Sequence, residues 1–194
     1  MNPNIPPVLS FWFAPGHHFT RWFIASEDLD RQIKSNFGDL VSQARTPSLD
    51  HWTENPQGTL AILILLDQFP RNIFRGSPES FSSDPKALDV AVKGIAQGHD
   101  RAVLPIQQAF FYLPLMHSER LLAQVSGLAA YEGMLQRCQK DEEAKAFAES
   151  GLDFARRHRD VILKFGRFPS RNAILGREST VEEKDFLKEN PSGF

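Results

Sequence analysis

The sequence predicts an all-α fold, and three observations carry that prediction. Apolar residues recur at i, i+3, i+4 and i+7 in segment after segment, the spacing of one helix face. These segments open on serine, threonine or aspartate, or on a proline, and several close on glycine. No convincing strand is found, and no run has a visible partner strand.

The opening "VLSFWFAP" reads as one or two helical turns closed by Pro15 and Gly16. Ser26 caps the next helix. Glu27 and Asp28 suit its positive end, and Leu29, Ile33, Phe37, Leu40, Val41 and Ala44 form its apolar line. Residues 45–58, with two prolines and Gly58, are expected to be a loop carrying Trp52. "LAILILLDQF" fits strand or helix by length; its helical neighbours favour helix. Asp84 and Pro85 start another helix, and "GHD" at 98–100 stops it, with Gly98 as the left-handed residue. Pro105 starts a short helix that Pro114 is expected to interrupt, leaving "LPLMHSE" as a kink or connector. From Ser118, the spacing of Leu121, Leu122, Val125, Leu128 and Leu135 predicts a helix to about Arg137. Asp141 opens a long amphipathic helix through Ala144, Phe147, Ala148, Gly151, Ala155, Val161, Ile162 and Phe165, ended by Gly166. "TVEE" from Thr180 is a capping box before a short terminal helix. The expectation is seven or eight helices in a single domain over residues 1–194, its antiparallel pairs following from short connectors.

Composition narrows the function classes. A net charge of −2 offers no basic patch, so neither nucleic acid nor an anionic membrane surface is expected as partner. The longest apolar run, Leu60 to Leu66, is far short of the roughly 18–20 residues of a membrane span. Cys138 is the one cysteine, which removes any intramolecular disulfide or multi-thiolate zinc site and fits a reducing, cytoplasmic location. Sixteen phenylalanines against two tyrosines point to a core filled by rings that need no buried hydrogen-bond partner. The aromatic Phe11, Trp12 and Phe13 are expected against the domain's own helices rather than in a dimer contact.

Chemistry gathers in two similar segments, "DQFPRNIFRG" at 67–76 and "GRFPSRNAILGR" at 166–177. Each carries phenylalanine-proline and then arginine-asparagine: Phe69, Pro70, Arg71 and Asn72, and later Phe168, Pro169, Arg171 and Asn172. Each follows a helix, so each is expected to be a post-helical turn, and the two together are expected to build one polar pocket. Arg71, Arg75, Arg167, Arg171 and Arg177 exceed what turns require, and a guanidinium suits bidentate capture of carboxylate or phosphate. Internal partners are the competing reading, with Asp67, Asp84, Asp100 and Glu119 as candidates.

Histidines supply the proton-transfer candidates. His158 falls on the apolar line of the long helix; it is either a core histidine donating to a backbone carbonyl or an acid/base. His117 stands beside Ser118 and Glu119, and His99 beside Asp100, each also explicable as helix-end chemistry. His17 and His18 read as an exposed loop pair. The chain holds no HExxH, CxxC or Glu-x-x-His pair, no phosphate loop and no GxSxG elbow, so neither metal nor cofactor is expected.

"LDQFPRNIFRG", "GHD", "FFYLPLMHSE", the following Gln124 and "HRDVILKFGRFPSRNAILGR", in that order, resemble the domain of unknown function 924 family over nearly the whole chain, from "FWF" to "STVEEKDFL". The resemblance implies an all-α, right-handed superhelix of antiparallel helix pairs similar to tetratricopeptide-like domains, although no 34-residue repeat is visible in the sequence. It implies no activity. Family members usually read "FPHRN" in the second segment; Ser170 stands at the histidine's place, and a role for that histidine does not transfer.

Two functions fit. The first is a cofactor-independent enzyme or binder for a small anionic metabolite. Its anion contacts are Arg71, Asn72 and His99, then Gln124, Arg167, Arg171 and Asn172. His117 or His158 moves the proton, with Glu119 or Asp67 setting tautomer and charge. The alternative is a non-catalytic tetratricopeptide-like module that grips a protein partner in a concave surface. Oligomeric state is not legible.

Overall fold

The computed structural model describes residues 5–15, 22, 24–191 and 193. The His17–His18 pair lies outside them. The described residues are helical, with no strand among them. They fall into two compact units, Met1–Val103 and Leu104–Phe194.

In the first unit α1 (Ile5–Trp12) precedes α2 (Glu27–Ala44), whose Ser26 cap accepts the Leu29 N–H. Residues expected to be a loop are ordered instead. A 3₁₀ segment at Pro47–Glu54 buries Trp52, and α3 (Pro56–Leu63) begins directly after it, with Asn55 accepting the Gly58 N–H. The apolar run is a helix, as its neighbours implied, and it does not stop at Pro70. It widens into a π-helical turn over Ile64–Gln68 and continues as α4 (Phe69–Ile73). The π turn is the physical reason. A proline lacks the N–H for the i−4 carbonyl and its ring collides with that carbonyl; widening the helix one turn earlier, where Phe69 N–H donates to Ile64, relieves both. Beyond it come α5 (Asp84–Ala96), Gly98 at φ 76°, and a 3₁₀ turn at His99–Ala102. The unit closes over rings: Phe37 and Phe69 lie 5.1 Å apart and Trp12 and Phe69 5.5 Å, so the N-terminal aromatics are spent on the unit's own core.

In the second unit α6 (Pro105–His117), α7 (Leu121–Arg137) and α8 (Glu142–Phe165) pack each on the next. The expected break at Pro114 is absent; α6 runs through it as one helix whose residues Gln107–Met116 are all buried. α7 is where the leucines predict it, but the face is reversed. Ala123, Gln124, Gly127, Tyr131 and Met134 are buried, while Leu121, Leu122 and Val125 are exposed. Close packing is the cause: a Cβ at Gly127 would sit 3.1 Å from Leu115 Cβ, so small residues face α6. Asp141 caps α8 through the Ala144 N–H, Gly166 ends it at φ 70°, and the Thr180–Glu183 capping box opens α9 (Val181–Glu189).

Candidate functional site

The first phenylalanine-proline segment rides on the π turn, which places Asp67 and Gln68 in the interior with Asp67 only 1% exposed. Arg71 stands one turn on and meets two carboxylates, Asp67 Oδ1 and Asp84 Oδ1, each at 3.0 Å. Burial opposes the guanidinium charge there, and the two aspartates outweigh it, so its pKa is raised. Asn72 donates to Asp30 at 2.8 Å, and Arg75 grips the same carboxylate with two hydrogen bonds at 2.9 and 3.0 Å. Burial would raise the Asp30 pKa, but Arg75 and Asn72 together lower it. His99 Nδ1 lies 2.8 Å from Thr59 Oγ1, whose hydroxyl also reaches the Asn55 carbonyl at 2.9 Å. Asp100 is buried just after it.

The second segment is a post-helical turn, as expected, with a 3₁₀ turn at Pro169–Arg171. Its frame is Glu119, reached from 58 residues away by both terminal nitrogens of Arg177 at 2.8 and 2.9 Å and by the Phe168 N–H at 2.8 Å. Burial pushes the Glu119 carboxyl up, but these bonds and the charges of Arg177 and Arg171 win, so its pKa falls. Asn172 is wholly buried; it donates to Ser179 and Glu183 and accepts from Arg177. Arg167 holds Glu183 through two bonds at 2.7 and 2.9 Å, the largest cause of a Glu183 pKa lowered to about 2.

Inside that frame stand the histidines. The His158 ring lies 5.5 Å from Phe168 and 6.3 Å from the His117 ring, centroid to centroid. His158 Nδ1 is 2.8 Å from the Phe154 carbonyl. A carbonyl only accepts, so Nδ1 carries the hydrogen and Nε2 is the ring's basic nitrogen. Arg171 stacks over Phe168 at 4.5 Å and donates to the His117 carbonyl at 2.9 Å. Gln124, 1% exposed, donates to the Met116 and Ser118 carbonyls at 2.7 and 2.6 Å, on either side of His117. The last carbonyls of α6 thus receive side-chain donors from two different elements.

The model of a family described as bacterial protein of unknown function (DUF924) matches residues 8–191. The chain belongs to the DUF924 family. A solved structure of a protein of unknown function from Agrobacterium tumefaciens is similar at 36% identity and a TM-score of 0.83, covering 96% of this chain and 97% of that one. No curated protein matches the chain.

In this DUF924 protein His117, Glu119, His158, Gln124, Arg167, Arg171 and Asn172 all belong to the second unit, and Asp67, Arg71, Asn72 and His99 to the first. Each phenylalanine-proline segment therefore has a polar frame of its own. Arg71, Arg75, Arg167 and Arg177 each meet a carboxylate. Sequence reasoning named Asp67, Asp84 and Glu119 as possible partners and missed Asp30 and Glu183. Glu183 carried a signal, since a capping-box glutamate has a second oxygen to give; Asp30, in the first turn of α2, carried none. Among the described residues no cluster of three or more histidine, cysteine, aspartate or glutamate side chains could hold a metal ion, and no helix is long and apolar enough to cross a membrane.

Proposed function

We propose that the protein binds a small anionic molecule at the His117–His158–Arg171 cluster of its second unit and carries out proton transfer on it. The observation behind the reading is the grouping of the His158 imidazole and the Arg171 guanidinium on the Phe168 ring, with the His117 ring 6.3 Å from that of His158. Arg171 supplies charge for a carboxylate or phosphate, and His158 Nε2 or His117 takes or gives the proton. Glu119, Arg177, Asn172 and Gln124 act as frame rather than reactants, because their hydrogen bonds are committed to the turns. The reading gives the anion to Arg171 because of its place, stacked on Phe168 beside His158 and bonded to the His117 carbonyl; Arg71, Asn72, Arg167 and Asn172, also nominated as anion contacts, engage Asp67, Asp84, Asp30 and Glu183.

The test is a thermal-shift and calorimetric screen of small carboxylates, phosphates and amino-acid derivatives against the wild type, Arg171→Ala and His158→Ala. A ligand that binds only the folded state raises Tm by mass action. The expected result is a hit lost in Arg171→Ala; for a hit that is turned over, His158→Ala keeps binding but loses turnover. A wild type indifferent to the whole panel, or hits that both variants retain unchanged, would sink the reading.

One observation favours a second reading, a tetratricopeptide-like interaction module built as a right-handed superhelix. Leu121, Leu122 and Val125 lie on one stretch of α7, and Leu122 is 80% exposed. Successive packing of α6, α7 and α8 through short connectors is compatible with stacked helix pairs. A crosslinked stoichiometric partner lost on Leu122→Asp would support this module, and its persistence in that variant would count against it.

A further inference from the structure

The first unit carries a cavity that the anion reading does not use. It encloses about 260 Å³ between the 3₁₀ segment at Pro47–Glu54, the start of α3 and one side of α5. That is slightly under the roughly 300 Å³ at which drug-sized pockets begin, so its natural occupant is a small metabolite. The floor is fixed. Thr59, 1% exposed, has its hydroxyl within 2.9 Å of the Asn55 carbonyl and 2.8 Å of His99 Nδ1, and the buried Gly94 of α5 lines the same cavity. One end is closed by Lys86, whose Nζ meets Asp50 Oδ1 and the Thr46 carbonyl, each at 2.6 Å.

The wall on α5 is different. Asp89 and Lys93 line the cavity four residues apart, a spacing at which opposite charges on a helix ordinarily pair. Here neither has an ion-pair partner among the described residues. The cavity therefore presents one carboxylate and one ammonium side by side, both facing the same space and neither satisfied by the other. Their Cβ atoms are separated by about 6 Å, as for any i, i+4 pair. That is a separation an α-ammonium and α-carboxylate on one carbon can bridge.

We infer that this groove is a binding site for a free zwitterionic α-amino acid, its ammonium on Asp89, its carboxylate on Lys93 and its side chain toward Val90 and Thr53. The site lies in the first unit, so its test is independent of the histidine cluster.

Calorimetric titration of the full chain with the common α-amino acids, one at a time, reads it directly. At least one amino acid binds, while its carboxamide, which lacks the carboxylate, and its N-acetyl derivative, which lacks the ammonium, bind about tenfold more weakly or not at all. Lys93→Met and Asp89→Asn each lose a similar factor. Asp89 and Lys93 are exposed on a helix, so both variants keep the fold, checked by circular dichroism. Binding of none of the amino acids to the wild type would overturn the inference. So would equal binding of the blocked derivatives, or affinities that neither variant changes.

Discussion

At Gly58 a Cβ would overlap the carbonyl of Trp52, a backbone atom that cannot rotate away. The close approach seats α3 on the 3₁₀ segment and buries Trp52. Gly58→Ala is therefore expected to cost about 2 kcal/mol, in the range of overpacked cores, despite alanine's better helix propensity. Urea unfolding measures it, and a neutral or stabilising result would mean that the segment shifts freely. Gln124 makes a prediction with a pH signature. Its amide donates to the Met116 and Ser118 carbonyls, so Gln124→Glu sets a carboxylate against two acceptor oxygens in a buried place. Both burial and the carbonyls raise that carboxyl's folded pKa above the unfolded value of about 4.3. A raised pKa means stability that is present below the unfolded value and lost as pH rises through the folded one. Gln124→Glu should thus be close to wild type near pH 4 and clearly weakened at pH 8, whereas Gln124→Ala should be equally weakened at both. Equal loss for the glutamate variant at both values would remove the clamp from the account.

Among the elements, the π turn holds the first polar frame in place. It turns Asp67 inward to Arg71, and Arg71 in turn reaches Asp84 at the head of α5. Asp67→Ala leaves that guanidinium with one carboxylate fewer, and a loss of about 3 kcal/mol is expected, typical of breaking a buried pair. Removing both partners in Asp67→Ala with Arg71→Met should cost less than the sum of the two single changes, and strict additivity would show that the two do not interact. Helix ends were legible in the sequence because their chemistry is local. Ser26, Asp141, Thr180 with Glu183, Gly98 and Gly166 each act within a few residues of themselves. Pro70 and Pro114 misled because their cost is met by the π turn and by a helix buried on every side, neither of which is written in the adjacent residues. On α7 the leucines gave the right period and the wrong face, since packing against α6 selects for smallness at Gly127 and Ala123 rather than for apolar bulk. The candidate site divides the same way. His158 could be read as a helix histidine on a carbonyl, whereas Arg177 on Glu119 and Arg75 on Asp30 span 58 and 45 residues and exist only after folding.

For the whole molecule these ion pairs predict how acid unfolds it. Glu183 titrates at about 2 in the folded chain against 4.5 for the ordinary group, and the Glu119 and Asp30 pKa values are also lowered. A lowered carboxylate pKa contributes stability that is complete above the unfolded pKa and is lost as pH falls through the folded one. Stability should therefore decline from about pH 4.5 and be largely spent by about pH 2. Both units take part, since Asp30 belongs to the first and Glu119 and Glu183 to the second. The chain carries its own probes: all three tryptophans, Trp12, Trp22 and Trp52, fall in the first unit, and both tyrosines, Tyr112 and Tyr131, in the second. Glu183→Gln removes the titrating group while keeping an acceptor for Arg167. It should lower stability at pH 7 and flatten the pH dependence below 4.5 in the tyrosine signal. A tyrosine profile unchanged by Glu183→Gln would show that the Arg167–Glu183 pair does not set acid stability. Movement of the tryptophan transition in step with it would show that the two units unfold as one cooperative system, and a stationary tryptophan transition that each holds its own stability.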